Sequence, residues 1–342
     1  MAQDPLSLPW NPESTTFPLR KDLPSHPGHP PEAAWVWGKD DFAGRLNLLT
    51  PARVKAAASE IRTGELARVD LPLNVPREPA FARASFLHTI KQWRPGVAYD
   101  DEITFNTQSS TQWDGFRHFA HIASGTFYNN TKDEDIIQGP NATDRCSIHY
   151  WSEHGFSGRG VLLDYRAYTD AQGIPRHDNT AAYAISYDDL VACGKYQGLD
   201  IRPEAQGGDI KIGDVLFIRA GWTQDYNERN AAENKALSAR APNQRTSAGV
   251  KQEPAILDWL HDCYFAAVAG DAPGFQRWPS PERYLLHEYI IALWGMPLGE
   301  LLDLEKMSRL AQKNRRWTFF FSSSPLNTPG GVASPVNGTA IF

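Results

Sequence analysis

Gln108, Gln112, Asp114 and His118 fall within eleven residues, in the stretch Gln108-Ser-Ser-Thr-Gln-Trp-Asp-Gly-Phe-Arg-His118. A carboxylate and an imidazole four positions apart, Asp114 and His118, can converge on one metal ion or on one proton in transit if the backbone turns at Gly115. The structural alternative for the same pair is a surface turn with a capping Asp and a solvated His.

His287 lies inside the apolar run Tyr284-Leu-Leu-His-Glu-Tyr-Ile-Ile-Ala-Leu293. A buried imidazole needs hydrogen-bond partners or a metal, so this residue is either a satisfied core histidine or a ligand. Glu300 follows thirteen residues later, where a helix is expected to begin, and there it could simply favour the helix N-terminus. Asp271 ends a buried apolar segment, a common place for functional side chains in α/β folds, or it caps the next turn. Trp113, Phe116, Phe119 and Trp222 are candidates for the walls of an apolar pocket or for core packing, and Gln108 for a polar group lining that pocket.

The elements that must position these residues alternate between helix and strand signals. Thr50-Pro51 predicts an N-cap and first helical position, with the helix ending near Gly64. Val69–Val75, Phe86–Lys91 and Thr104–Trp113 have the pattern of strands, the last leading into the turn at Asp114-Gly115. Gly160–Asp164, Asp214–Trp222, Tyr264–Asp271 and Thr318–Ser322 are further strand candidates. Ser186-Tyr-Asp-Asp189 is a capping box for a helix to about Tyr196, and Glu253–Asp262 and Leu301–Gln312 have helical spacing. Residues 1–31 form a proline-rich arm, and the polar segment 223–248 is expected to be an exposed helical insertion or a lid. The remainder, 32–342, carries neither an internal repeat nor a linker and is expected to be one α/β domain.

Composition limits the chemistry. The 342 residues carry 34 Lys+Arg against 40 Asp+Glu, a net charge of −6, with no long basic block, which argues against nucleic acid as a partner. Cys146, Cys193 and Cys263 are too few and too scattered for a disulfide framework or a Cys-rich zinc site, so any metal must use His and carboxylate. No apolar leader and no apolar run of about eighteen residues is present, which predicts a cytoplasmic protein that does not enter a membrane.

The chain resembles the cyclase family typified by bacterial kynurenine formamidase. That family's signature is His-x-Gly-Thr-His-x-Asp-x-Pro-x-His, and the stretch 108–118 aligns with it in a divergent Thr-Gln-Trp-Asp-Gly form. Similar segments follow in the family's order: Gly44-Arg-Leu-Asn-Leu-Leu-Thr50, Gly158–Asp164, Gly213–Gly221, Val268–Asp271, His287, Glu300 and Ser334-Pro-Val336. The resemblance implies a swivelling β/β/α fold of mixed sheets packed with helices, a homodimer or homotetramer, and a metal site.

Carried onto this chain, the resemblance makes Asp114 the shared metal ligand, His118 the acid/base, and His287 and Glu300 the remaining ligands of a second metal position. Gln108 and Gln112 stand where two histidines of the first position belong. An amide oxygen is a weaker zinc ligand than imidazole, so one Zn or Mn per chain is expected, held by Asp114, His287 and Glu300 with Gln112 beside them; a metal-free protein is the alternative. The implied function is a metal-dependent hydrolase of a small cyclic or aromatic amide, lactam or lactone. Two other readings stay open: a non-hydrolytic cyclase, dehydratase or isomerase of a small carbonyl compound, with Asp114 and His118 as a proton-transfer pair, and a small-molecule binding protein that has lost its metal.

Overall fold

The computed structural model describes residues 7–342. Its strands are β1 (Leu66–Arg68), β2 (Leu87–Arg94), β3 (Ala98–Thr104), β4 (Gln112–Asp114), β5 (Phe156–Leu163), β6 (Ala184–Ile185), β7 (Val215–Ile218), β8 (Gly249–Val250), β9 (Ala267–Gly270), β10 (Leu298–Glu300), β11 (Thr318–Ser323), β12 (Ala333–Ser334) and β13 (Gly338–Ile341). Nine of them form one mixed sheet in the order β1-β13-β11-β5-β7-β9-β10-β4-β12. The centre, β5-β7-β9-β10, is parallel, and both flanks are antiparallel. The parallel strands β7 and β9 are buried along their whole length, as expected for strands covered on both faces. This is the mixed α/β fold expected from the chain.

Several elements differ in extent from the sequence expectation. The Thr50-capped helix runs Pro51–Ala57 and tightens to a 3-10 turn through Glu60. Val69–Val75 is not a strand; β1 ends at Arg68, and Asp70 makes only an isolated bridge to Leu302. Thr104 ends the β2–β3 hairpin and Gln112 begins β4, with turns between them. Trp222 starts the helix Trp222–Glu228 rather than ending a strand. Glu300 ends strand β10, and the next helix starts only at Glu305. A three-residue strand is too short to show a period, so the sequence pattern merged β10 into the helix that follows.

Residues 7–31 lie against the body of their own chain. Trp10 is buried, Phe17 stacks on Tyr264 at 4.6 Å, and Asp262 accepts the Arg20 backbone N–H at 2.6 Å. The β2–β3 hairpin stands apart, exposing Leu87, Ile90, Trp93, Val97, Tyr99 and Ile103. Among the described residues no helix is long and apolar enough to cross a membrane.

Candidate functional site

The site is built on the pairing of β4 with β10. In their antiparallel register Gln112 lies opposite Glu300, and Asp114 opposite Leu298. Alternation along β4 puts Gln112 and Asp114 on one face and Trp113 on the other. Gly115 donates its N–H to Val332 O at 3.1 Å, and a Cβ there would fall 2.3 Å from that oxygen, so close backbone approach is what this glycine permits.

Six side chains converge. Glu300 Oε1 accepts the Phe275 backbone N–H at 2.9 Å and lies 3.1 Å from His287 Nε2. Glu300 Oε2 accepts from Gln112 Nε2 at 2.9 Å. Asp114 Oδ1 accepts from Gln108 Nε2 at 2.9 Å. Asp114 Oδ2 is buried without a hydrogen-bond partner, 3.7 Å from both His118 Nε2 and His287 Nε2.

The ligand atoms of Asp114, His287 and Glu300 all lie within 4.8 Å of one another. His287 precedes a π-helical turn, Glu288–Leu293, a rare geometry that recurs at functional sites. Gln276 Oε1 accepts the His287 backbone N–H at 3.3 Å and faces Nδ1 at 3.2 Å. A backbone N–H can only donate, so the amide oxygen is on this side and Nδ1 carries the proton. In the neutral ring Nε2 then offers its lone pair to a cation, the arrangement common around metal-bound histidine, and only the doubly protonated ring donates from Nε2 to Glu300.

The orphaned Asp114 oxygen, the second carboxylate and the oriented imidazole fit a divalent cation. A donor set of one imidazole nitrogen and carboxylate oxygens suits divalent metals in general.

The two glutamines are engaged differently from metal-binding histidines. Arg83 donates to Gln108 Oε1 at 2.8 Å, and a guanidinium has no acceptor, so the amide oxygen is committed to it while Nε2 serves Asp114. Gln112 uses Nε2 on Glu300, leaving its buried Oε1 without a protein partner. Gln112 is thus the glutamine with an oxygen left to offer.

Electrostatics separate the two carboxyls. Burial and the neighbouring Glu300 charge push Asp114 well above the usual carboxylate range. Burial opposes ionisation of Glu300 too, but the hydrogen bond and charge of His287 and the Phe275 N–H hold it below its ordinary value. Burial, and then the charge of His287, push His118 down to about 4, so its imidazole is neutral at pH 7.

A cavity of about 580 Å³ opens over these groups and is lined by His118, His287, Glu300 and Gln108. Phe119, Trp222 and Trp278 supply apolar surface, and segment 223–248 contributes Tyr226, Leu237, Arg240 and Arg245.

Trp113 and Phe116, expected as pocket walls, are instead fully buried in the core. Trp113 stacks on Phe156 at 4.8 Å, and Phe116 packs between Tyr128 and Trp151 at 4.6 and 4.8 Å. The strand alternation that directs Asp114 to the site directs Trp113 away from it. Asp271 is structural: it accepts the N–H groups of Ala220 and Gly221 at 2.7 and 2.8 Å, fixing the entry to the helix at Trp222. Gln276, the Phe275 N–H and Arg83 were not anticipated; they come from irregular segments whose spacing carries no signal.

Comparison with known proteins agrees with this architecture. A solved structure described as a novel cyclase shares 25% identity, with 91% of this chain and 99% of that chain covered and a TM-score of 0.76. Isatin hydrolase A from Ralstonia solanacearum has 16% identity, coverage of 85% and 97%, and a TM-score of 0.56. An isatin hydrolase bound to the product analogue thioisatinate has 13% identity, coverage of 86% and 97%, and a TM-score of 0.54. At these identities the isatin hydrolases share the fold. No curated protein matches the sequence. Residues 6–277 match the family model described as "Putative cyclase", and the chain belongs to that family.

Proposed function

We propose that the protein is a metal-dependent hydrolase of a small cyclic or aromatic amide, lactam or lactone. The observation that carries this reading is the convergence of Asp114, His287 and Glu300 on one point, with Asp114 Oδ2 unpaired, beneath an apolar cavity. One Zn or Mn ion would be held by these three residues, with Gln112 Oε1 beside them. Such an ion, when bound, supplies a Lewis acid for a carbonyl and lowers the pKa of water.

The chain's own groups do the rest. Gln108 and Gln112 hold the two carboxylates in place through their amide N–H groups. Gln276 fixes the ring of His287. His118, neutral and at the cavity wall, takes a proton from the attacking water and delivers it to the leaving nitrogen or oxygen. The bond from the carbonyl carbon to nitrogen or oxygen breaks as water adds, giving a carboxylate and an amine or alcohol, both on one molecule when the substrate is a ring. Phe119 and Trp222 exclude water and pack a flat substrate.

The test is hydrolysis of a panel of amides, lactams and lactones, isatin included, by protein reconstituted with Zn or Mn. Turnover that chelation abolishes and the metal restores supports the reading; its absence across the panel counts against it. A second reading rests on the opposed shifts of Asp114 and His118, whose side chains lie 3.7 Å apart: an acid whose pKa is raised by burial, beside a neutral base, could cyclise, dehydrate or isomerise a carbonyl compound without metal. Activity that survives chelation would select it.

The proposal includes assembly into a homodimer or homotetramer. The apolar side chains displayed by the β2–β3 hairpin, with Trp93 74% exposed, support it.

A further inference from the structure

Among the charged side chains lining the cavity, four guanidinium groups outnumber two carboxylates, Glu78 and Glu300. Arg83, Arg229, Arg240 and Arg245 all line it. None forms an ion pair with a carboxylate among the described residues; each spends donors on neutral oxygens instead. Arg83 donates to Gln108 O and Gln108 Oε1, Arg229 to Asn234 Oδ1, Arg240 to Thr180 O, and Arg245 to Arg240 O. In a chain of net charge −6, unpaired guanidinium groups gathered on one cavity are a specific arrangement.

Two of them share a support. The Arg83 and Arg245 guanidinium carbons lie 5.2 and 5.6 Å from the centre of the Phe81 ring. Phe81 and Ala82 both adopt left-handed backbone, with φ of 60° and 57°. That conformation is rare for a bulky side chain and is retained where the surroundings require it. It leaves Phe81 48% exposed on the cavity wall, beside both cations. Arg83 is also one amide away from the candidate metal centre, through the chain Arg83–Gln108–Asp114. A divalent ion there would be matched by Asp114 and Glu300, leaving Glu78 as the one carboxylate of the lining to set against the four guanidinium groups.

We propose that the substrate is an aromatic or apolar acid, with a carboxylate that Arg83 and Arg245 receive while its ring packs on Phe81, Phe119 and Trp222. The inference rests on the hydrolase reading for what happens next, but the anion subsite stands on its own geometry. Arginine is suited to it because its planar fork grips a carboxylate through two parallel N–H donors. Arg229 and Arg240 extend the positive field toward the mouth of the cavity.

The test is direct binding, which needs no turnover. Benzoate, phthalate and indole-3-acetate, each against its neutral amide, are titrated calorimetrically into the metal-loaded protein. The acids should bind about tenfold more tightly than the amides, the worth of one charge-assisted contact. That preference should shrink with added salt. It should be lost in Arg245→Gln and Arg83→Gln and partly kept in Arg245→Lys, with melting temperature confirming that each variant is folded. Amides binding as well as acids, or no acid binding at about 10 mM, would overturn the proposal. So would a preference that survives both Gln variants, because the metal alone would then be attracting the anion. Acid binding without hydrolysis of any amide or lactone would sink the hydrolase reading and leave the subsite intact.

Discussion

Gln112 and Glu300 face each other across the β4–β10 pair, and the Gln112 amide donates to Glu300 Oε2 at 2.9 Å. The two residues are 188 positions apart in the chain. The contact turns a position aligned with a metal-binding histidine into a support for a carboxylate on the neighbouring strand.

Replacing Gln112 by Leu removes the donor and leaves that oxygen buried and unpaired. The unfolding free energy should fall by about 1–3 kcal/mol, read from urea denaturation. An unchanged midpoint would mean that Glu300 Oε2 has another partner in solution.

Metal content should be one divalent ion per chain, measured by inductively coupled plasma mass spectrometry after reconstitution with Zn or Mn. His287→Ala should lose it, because it deletes the oriented imidazole of a three-residue set. Two ions per wild-type chain would contradict the commitment of the Gln108 oxygen to Arg83.

His118→Ala should lower turnover by about 10²–10⁴-fold, the usual contribution of a positioned acid/base. Metal content and melting temperature should stay near wild type, since His118 is absent from the converging ligand set. Full activity in this variant would remove His118 from the mechanism.

Stability should depend on pH through His261, away from the cavity. Burial, reinforced by the charge of Arg45 and opposed by its hydrogen bond to Asp262, pushes its pKa down from 6.5 to about 4. Between those values the unfolded chain binds more protons than the folded one, so stability is retained above about 6.5 and lost as pH falls toward 4. The slope from this group approaches about 1.4 kcal/mol per pH unit. His118, depressed to a similar value, contributes over the same window. Urea denaturation between these pH values should show the slope in the wild type, and His261→Leu should reduce it by this group's share, whereas an equal slope in both proteins would assign the effect elsewhere.

Assembly should depend on the β2–β3 hairpin. Ile90→Asp with Trp93→Glu places charge on two of its most exposed apolar positions, 64% and 74% accessible. The double variant should run as a monomer by light scattering, with an unchanged circular dichroism spectrum. A monomeric wild type would refute the assembly proposal, and an unchanged oligomer in the variant would place the interface on another surface.

The sequence by itself determined which chemistry the chain could attempt. Its charge balance and scattered cysteines restricted any metal to His and carboxylate ligands, and the stretch 108–118, with His287 and Glu300 after it, pointed to a cyclase-type centre. The Thr50 and Ser186 helix starts were legible because a capping side chain binds backbone within three residues of itself. Period-two alternation also separates Trp113 from Asp114, but it becomes usable only once the short segment is known to be a strand.

Tertiary structure decided the rest, because the decisive contacts join residues far apart in the chain. Register between two three-residue strands set Gln112 against Glu300. Irregular segments brought Arg83, Phe275 and Gln276 to the centre, and backbone without periodicity announces no direction for its side chains. Whether Gln108 would ligate or donate was settled by a guanidinium 25 residues away, since a group that can only donate fixes which end of an amide it meets.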